Sequence, residues 1–143
     1  MEWGLIGVGS ALALAAVGSA LGAGSAGMAA VGAWKKCFAQ NKPAPFLLVA
    51  FVGAPLTQTI YGFILMNALA ESAAGGTNAA MLLGAGVLGG IAMGFSAWFQ
   101  GKCGAVASDA LAETGKGFGN YIMVLGLVET VALFVMVFLL GMV

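Results

Sequence analysis

The chain has 143 residues, of which 62% are hydrophobic and only 7% are charged, and it contains no histidine. A soluble domain carries about 25% charged residues, and it needs them to cover its surface. This composition excludes a soluble enzyme, a nucleic-acid-binding protein with a basic face and a disordered tail. Two cysteines without histidine also argue against a zinc site built from one chain. The composition therefore predicts a membrane protein.

Four apolar runs follow one another along the chain, at roughly 4–33, 45–70, 79–107 and 118–142. Each is long enough for a spanning helix, which needs about 20 apolar residues. The runs are continuous rather than alternating, which excludes the strands of a closed barrel. We therefore predict an all-α membrane protein with four transmembrane helices.

The five lysines predict the orientation of these helices. They lie in the segments 35–42 and 102–116, which four spans place on one side of the membrane, opposite both termini and the polar segment 71–78. The positive-inside rule makes the lysine-bearing side cytoplasmic, with the termini outside. A secretory signal over residues 1–24 is the competing interpretation, but that stretch begins with Glu2 instead of a basic region.

The two halves of the chain are alike, which predicts a tandem duplication of one helical hairpin. The segment 19–27 aligns with 96–104, and 55–61 aligns with 126–132. Both hairpins have the same orientation, so the repeat is parallel and not inverted. We expect a first transmembrane hairpin over 1–74 and a second over 75–143.

Small residues recur at spacings of three and four on the first and third helices. Such seams let helix backbones approach closely in lipid. They fit packing inside one four-helix bundle, but their length favours an inner ring built from several copies, with the bulky second and fourth helices outside. The seam residues are Gly4, Gly7, Ala11, Ala15, Gly18, Gly22, Ser25 and Ala29, followed by Gly86, Gly90, Ala97, Gly101, Gly104 and Ser108.

Glu129 is the one charged residue in the fourth apolar run, with no other charge near it. It lies about ten residues into the fourth helix, or roughly 15 Å. A charge at this depth costs at least about 2.5–3.5 kcal/mol, so it marks a functional site unless it is a protonated structural acid. In the aligned first half, Gln58 takes its place.

Further oxygen donors are expected near the depth of Glu129. Thr57, Gln58 and Tyr61 lie together on the second helix, and Gln100 lies on the third. Pro55 removes one helical hydrogen bond and so frees a carbonyl in the preceding turn. Each glutamine alone is explained by interhelical hydrogen bonding. The combined set is all oxygen, and it suits a hard cation such as Na⁺.

Three motifs resemble the proteolipid (c or K) subunit of V-type and A/V-type rotary ATPases. They are Gly-Ala-Pro-Leu-Thr-Gln-Thr-Ile-Tyr-Gly at 53–62, Phe-Gln-Gly-Lys at 99–102 and Val-Glu-Thr at 128–130. The resemblance implies a duplicated subunit that carries one ion-binding glutamate on its fourth helix. The chain departs from the resembled motif at Leu56, where such sites can have a smaller residue, and this departure could tighten or tilt the site. By the same resemblance, the Na⁺ ligands are Glu129, Gln100, Thr57, Gln58 and the carbonyl of Ala54, with Tyr61 holding Glu129 by a hydrogen bond.

The resemblance also implies a mechanism and partners. Identical subunits form a lipid-embedded ring that turns against a stator subunit with a basic residue, and the cytoplasmic segments 34–44 and 108–117 dock a central stalk. Glu129 binds and releases Na⁺, or alternatively H⁺, while ATP is hydrolysed or made elsewhere. The chain itself has no phosphate-binding loop, so we expect a non-catalytic subunit. The composition argues against a nucleic-acid partner. The alternative is a small four-helix drug/proton antiporter that uses one membrane glutamate.

Overall fold

The computed structural model describes residues 2–143, and every secondary-structure element in this part of the chain is a helix. Four helical spans are long and apolar enough to cross a membrane, as predicted. The second span is composite, because a 3₁₀ turn separates two α-helices within it. The elements are α1 (Glu2–Ala39), α2 (Leu48–Gly53), the 3₁₀ turn (Ala54–Leu56), α3 (Thr57–Ala74), α4 (Ala79–Thr114) and α5 (Phe118–Leu140).

The first and third helices are longer than the apolar runs that predicted them. α1 continues past position 33 to Ala39, and α4 continues past 107 to Thr114. Hydropathy indicates where a helix leaves the lipid, whereas the helix itself ends where the backbone conformation changes. For α4 the end comes at Gly115, which has a left-handed φ of 66° and donates its N–H to the carbonyl of Leu111.

α1 and α4 run parallel and pack backbone against backbone along the seam of small residues. A Cβ added to Gly101 would collide with the backbone of Gly22, and glycines pair in the same way at Gly18 with Gly94 and at Gly7 with Gly86. The structure therefore buries most of this seam within one chain, with Ser25 and Ala29 half-buried. This is the bundle packing that the sequence left open. The contribution of several copies to an inner ring remains a prediction.

The composite second span and α5 lie against this pair. Leu65 and Leu69 of α3 join Met93 of α4 in one buried cluster. Most phenylalanines of the second and fourth spans are exposed, as expected for lipid-facing helices. The exceptions are Phe51, which is fully buried, and Phe118, which is half-buried, with their ring centroids 5.5 Å apart.

The lysine-bearing ends of α1 and α4 meet. Lys36 Nζ lies 3.1 Å from Asp109 Oδ1 in an exposed ion pair, so the two segments lie at the same end of the molecule, as the topology predicts. Lys102 lies three turns before the end of α4, and its ammonium stands 4.2 Å from the centroid of the Trp98 ring. This cation–π contact stabilises the Lys102 ammonium at a position within the helix rather than at its end.

Candidate ion-binding site

Pro55 changes the course of the second span next to the predicted site. Proline has no N–H to donate to the carbonyl four residues earlier, which here belongs to Phe51. The helix tightens into the 3₁₀ turn, where the N–H of Thr57 donates to the carbonyl of Ala54. Regular α-helix resumes at Thr57. The break therefore lies directly before Thr57 and Gln58, two of the residues predicted to form the site.

The carboxylate of Glu129 receives a hydrogen bond on each oxygen. The phenol of Tyr61 on α3 donates to Oε1 at 2.7 Å, and Nε2 of Gln100 on α4 donates to Oε2 at 3.0 Å. Glu129 itself is only partly buried. The ion pair found within residues 2–143 joins Lys36 to Asp109. Within these residues the Glu129 carboxylate therefore has hydrogen-bond donors but no cationic partner.

Gln100 is fully buried, and its amide has one possible orientation. Nε2 also donates to the carbonyl of Leu125 at 3.0 Å. A carbonyl only accepts, so the nitrogen must lie on this side and the amide oxygen on the other. That oxygen accepts from Nε2 of Gln58 at 2.9 Å. Gln100 therefore links α3 to α5 and faces Glu129 with its nitrogen.

The same reasoning orients Gln58, which is also fully buried. Its nitrogen faces Gln100, so its Oε1 faces Thr57, whose hydroxyl lies 3.1 Å away. The Thr57 hydroxyl is also 3.1 Å from the carbonyl of Ala54. Its single hydrogen can serve only one of these oxygens at a time, which leaves the other with a free lone pair. When the Thr57 hydroxyl donates to Gln58, a chain of hydrogen bonds runs in one direction from Thr57 through both amides to Glu129.

All six residues that the sequence assigned to the site lie in this one hydrogen-bonded chain. Leu56, the departure from the resembled motif, is 53% exposed and so does not crowd the polar groups. Gln100 differs from the expectation in one respect, because it presents its nitrogen to the carboxylate while its oxygen faces Gln58. The chain is formed by Ala54, Thr57, Gln58, Gln100, Glu129 and Tyr61.

Ser96 belongs to the same network, and the sequence reasoning missed it. Its hydroxyl donates to the carbonyl of Val128 at 2.9 Å and accepts from Nε2 of Gln58 at 3.4 Å. A serine in a helix rich in small residues looks like part of the packing seam. Its position four residues before Gln100 was the available signal, since residues at this spacing share a helix face.

The fold and the site together define a multi-pass α-helical membrane protein in which one carboxylate is held by polar groups from two other spans. Residues 83–142 match the family model of the ATP synthase C subunit. The matched segment contains most of α4 and all of α5, and with them Gln100 and Glu129. This part of the chain is therefore similar to a non-catalytic proteolipid of a rotary ATPase. No curated protein matches the chain.

Proposed function

We propose that this chain is an ion-carrying subunit in the membrane rotor ring of a V-type ATPase, where Glu129 binds and releases Na⁺ or H⁺. The observation that carries the proposal is the carboxylate itself. Glu129 is held by Tyr61 and Gln100 and has no cationic partner within residues 2–143. Uncompensated charge is costly in a membrane, so a mobile cation is the natural partner.

The groups around Glu129 favour Na⁺ as that cation. A carboxylate has about four lone-pair sites, and two hydrogen bonds leave others free for an ion. Gln100 Oε1 accepts one hydrogen bond and keeps a second lone pair. The Thr57 hydroxyl has one hydrogen, so it leaves either Oε1 of Gln58 or the carbonyl of Ala54 without it, and that carbonyl also accepts the N–H of Thr57. These oxygens suit a hard cation, and we assign Na⁺ to them together with Glu129.

The duplicated architecture supports a V-type rotor. The segment that matches the ATP synthase family model contains one helical hairpin, and Glu129 is the one carboxylate within its apolar runs. The first hairpin aligns with it but has Gln58 in place of the glutamate. One ion site per four helices is the pattern of the duplicated proteolipid that the motifs resemble. A ring of such subunits carries half as many ions as a ring of single hairpins with the same number of helices.

In the proposed mechanism the protein moves a neutralised carboxylate through lipid. Near a stator subunit with a basic residue, Glu129 exchanges its ion with an access channel. Away from the stator the bound ion cancels the charge, so rotation avoids the cost of a bare carboxylate in hydrocarbon. The paired cytoplasmic ends of α1 and α4, joined at Lys36 and Asp109, are the surface that we assign to the central stalk.

Carbodiimide labelling of the purified protein tests this proposal. We expect Glu129 to react and Na⁺ to protect it at constant pH, whereas the exposed Glu71 provides an internal control that Na⁺ does not protect. A Glu129→Gln variant should lose the protected label. Labelling that is indifferent to Na⁺ would contradict a sodium site and assign protons to Glu129.

Native mass measurement tests the rotor independently of the ion. We expect a closed ring of many identical chains. A monomer or dimer would contradict the rotor, and it would favour the small antiporter that the four-helix size also fits.

A further inference from the structure

Ser96 joins three of the four spans through one hydroxyl. It lies on α4, donates to the carbonyl of Val128 on α5 at 2.9 Å, and accepts from Nε2 of Gln58 on α3 at 3.4 Å. The side chain is only 6% exposed. Val128 directly precedes Glu129, so the hydroxyl contacts both the backbone beside the carboxylate and one of the proposed ligands.

The hydroxyl completes the hydrogen bonding of the Gln58 amide. One N–H of Nε2 is directed to Oε1 of Gln100 and the other to Ser96. With both hydrogens satisfied, the Gln58 oxygen stays on the side of Thr57. Without the hydroxyl, a fully buried N–H would lose its partner, and the amide would shift to find another acceptor.

We propose that Ser96 is a positioning residue that makes the site specific for Na⁺ over H⁺. The inference rests on the proposed function and assigns the placement of Gln58 Oε1 and of the α5 backbone at Val128 to this hydroxyl. A sodium ion needs several oxygens at fixed distances, so it is sensitive to their placement. A proton binds to the carboxylate of Glu129 alone and does not use the oxygen of Gln58.

The test is a Ser96→Ala variant of the purified oligomer, measured by carbodiimide labelling of Glu129. We expect the Na⁺ concentration for half-protection to rise roughly fivefold or more, the size of one lost hydrogen bond. The pH dependence of labelling without Na⁺ should stay that of the wild type, a result that general distortion of the site would not give. Ser96→Thr keeps the hydroxyl and should show the same Na⁺ concentration for half-protection as the wild type.

Ser108→Ala is the matched control on the same helix. Ser108 is also buried, but its hydroxyl donates to the carbonyl of Gly104 within α4, so its hydrogen bond joins no two spans. Its removal should leave Na⁺ protection unchanged. If Ser96→Ala does not assemble, Ser96→Cys is measured instead, because a thiol is a weaker donor of similar size.

Three results overturn the assignment of Ser96. The first is a Na⁺ concentration for half-protection in Ser96→Ala that stays within twofold of the wild-type value. The second is an equal rise of that concentration in Ser108→Ala. The third is a change in the pH dependence of labelling without Na⁺ in Ser96→Ala. Each leaves the ion-carrying function standing if Na⁺ still protects the wild type. Absence of protection in the wild type would overturn both the sodium site and the role of Ser96.

Discussion

The phenol oxygen of Tyr61 lies 2.7 Å from Oε1 of Glu129, and this hydrogen bond joins α3 to α5. Gln100 holds the other carboxylate oxygen from α4. Glu129 is therefore fixed from two sides by donors whose own positions depend on helix packing. In the proposed mechanism, this arrangement returns the carboxylate to one geometry each time an ion leaves.

Replacement of Tyr61 by Phe tests the first of these contacts. A hydrogen bond to a charged group contributes about 1.5–3 kcal/mol. We expect Tyr61→Phe to raise the Na⁺ concentration for half-protection of Glu129 by roughly tenfold or more, since about 1.4 kcal/mol corresponds to a factor of ten. Tyr121→Phe is the control, because the other tyrosine packs against Phe51, with ring centroids 6.3 Å apart. Equal Na⁺ affinity in wild type and Tyr61→Phe would refute a holding role for this phenol.

Gln100→Ala tests the residue that links the two helices around the site. The variant loses the contacts to Glu129, Leu125 and Gln58 together. We expect Na⁺ binding to weaken by at least about tenfold on the same scale, while the protein still assembles. Gln40→Ala, at an exposed position after α1, should behave as wild type in the same binding measurement. Unchanged Na⁺ affinity in Gln100→Ala would argue against Gln100 as a ligand.

The close approach of α1 and α4 predicts a large difference between two glycines of the same helix. A Cβ at Gly101 would collide with the backbone of Gly22, whereas a Cβ at Gly84 would meet nothing within 4 Å. Overpacking of this kind costs about 1–3 kcal/mol. Thermal unfolding in detergent should therefore occur at a lower temperature in Gly101→Ala, with Gly84→Ala neutral or slightly stabilised by its helix propensity. Equal unfolding temperatures for the two variants would contradict this packing.

The orientation of the chain predicts which positions a membrane-impermeant thiol reagent can reach. Both cysteines, Cys37 and Cys103, are free and are first replaced by Ala. In that background Lys42→Cys should react only from the cytoplasmic side, and Thr77→Cys only from the opposite side. Labelling of right-side-out and inverted vesicles measures this. The reverse pattern would invert the proposed topology.

The helical spans could be predicted because apolar runs report the length of chain in lipid. The ends of α1 and α4 could not, since Lys36 and Asp109 are polar residues on helices that continue beyond the apolar run. The bulk of the second helix also predicted that Phe51 faces lipid, but Phe51 is fully buried and packs on Phe118. Residue type alone does not show which side of a helix is covered.

The members of the site were predictable from polar residues at similar depth and from the resembled motifs. Their hydrogen-bond directions were not, because the orientation of Gln100 depends on the carbonyl of Leu125, which only the folded chain brings near. The role of Ser96 was likewise not predicted, because its hydrogen-bond partner comes near only in the folded chain. Its partner on α5 is the backbone of Val128, which carries no sequence signal.

The number of sodium ions bound per chain tests the central claim most directly. Equilibrium binding of radioactive Na⁺ to the purified oligomer should give one ion per chain, because Glu129 is the single carboxylate of the proposed site and Gln58 takes its place in the first hairpin. In Glu129→Gln the binding should disappear while the oligomer persists. Undiminished binding in that variant, or two ions per chain in the wild type, would contradict the account.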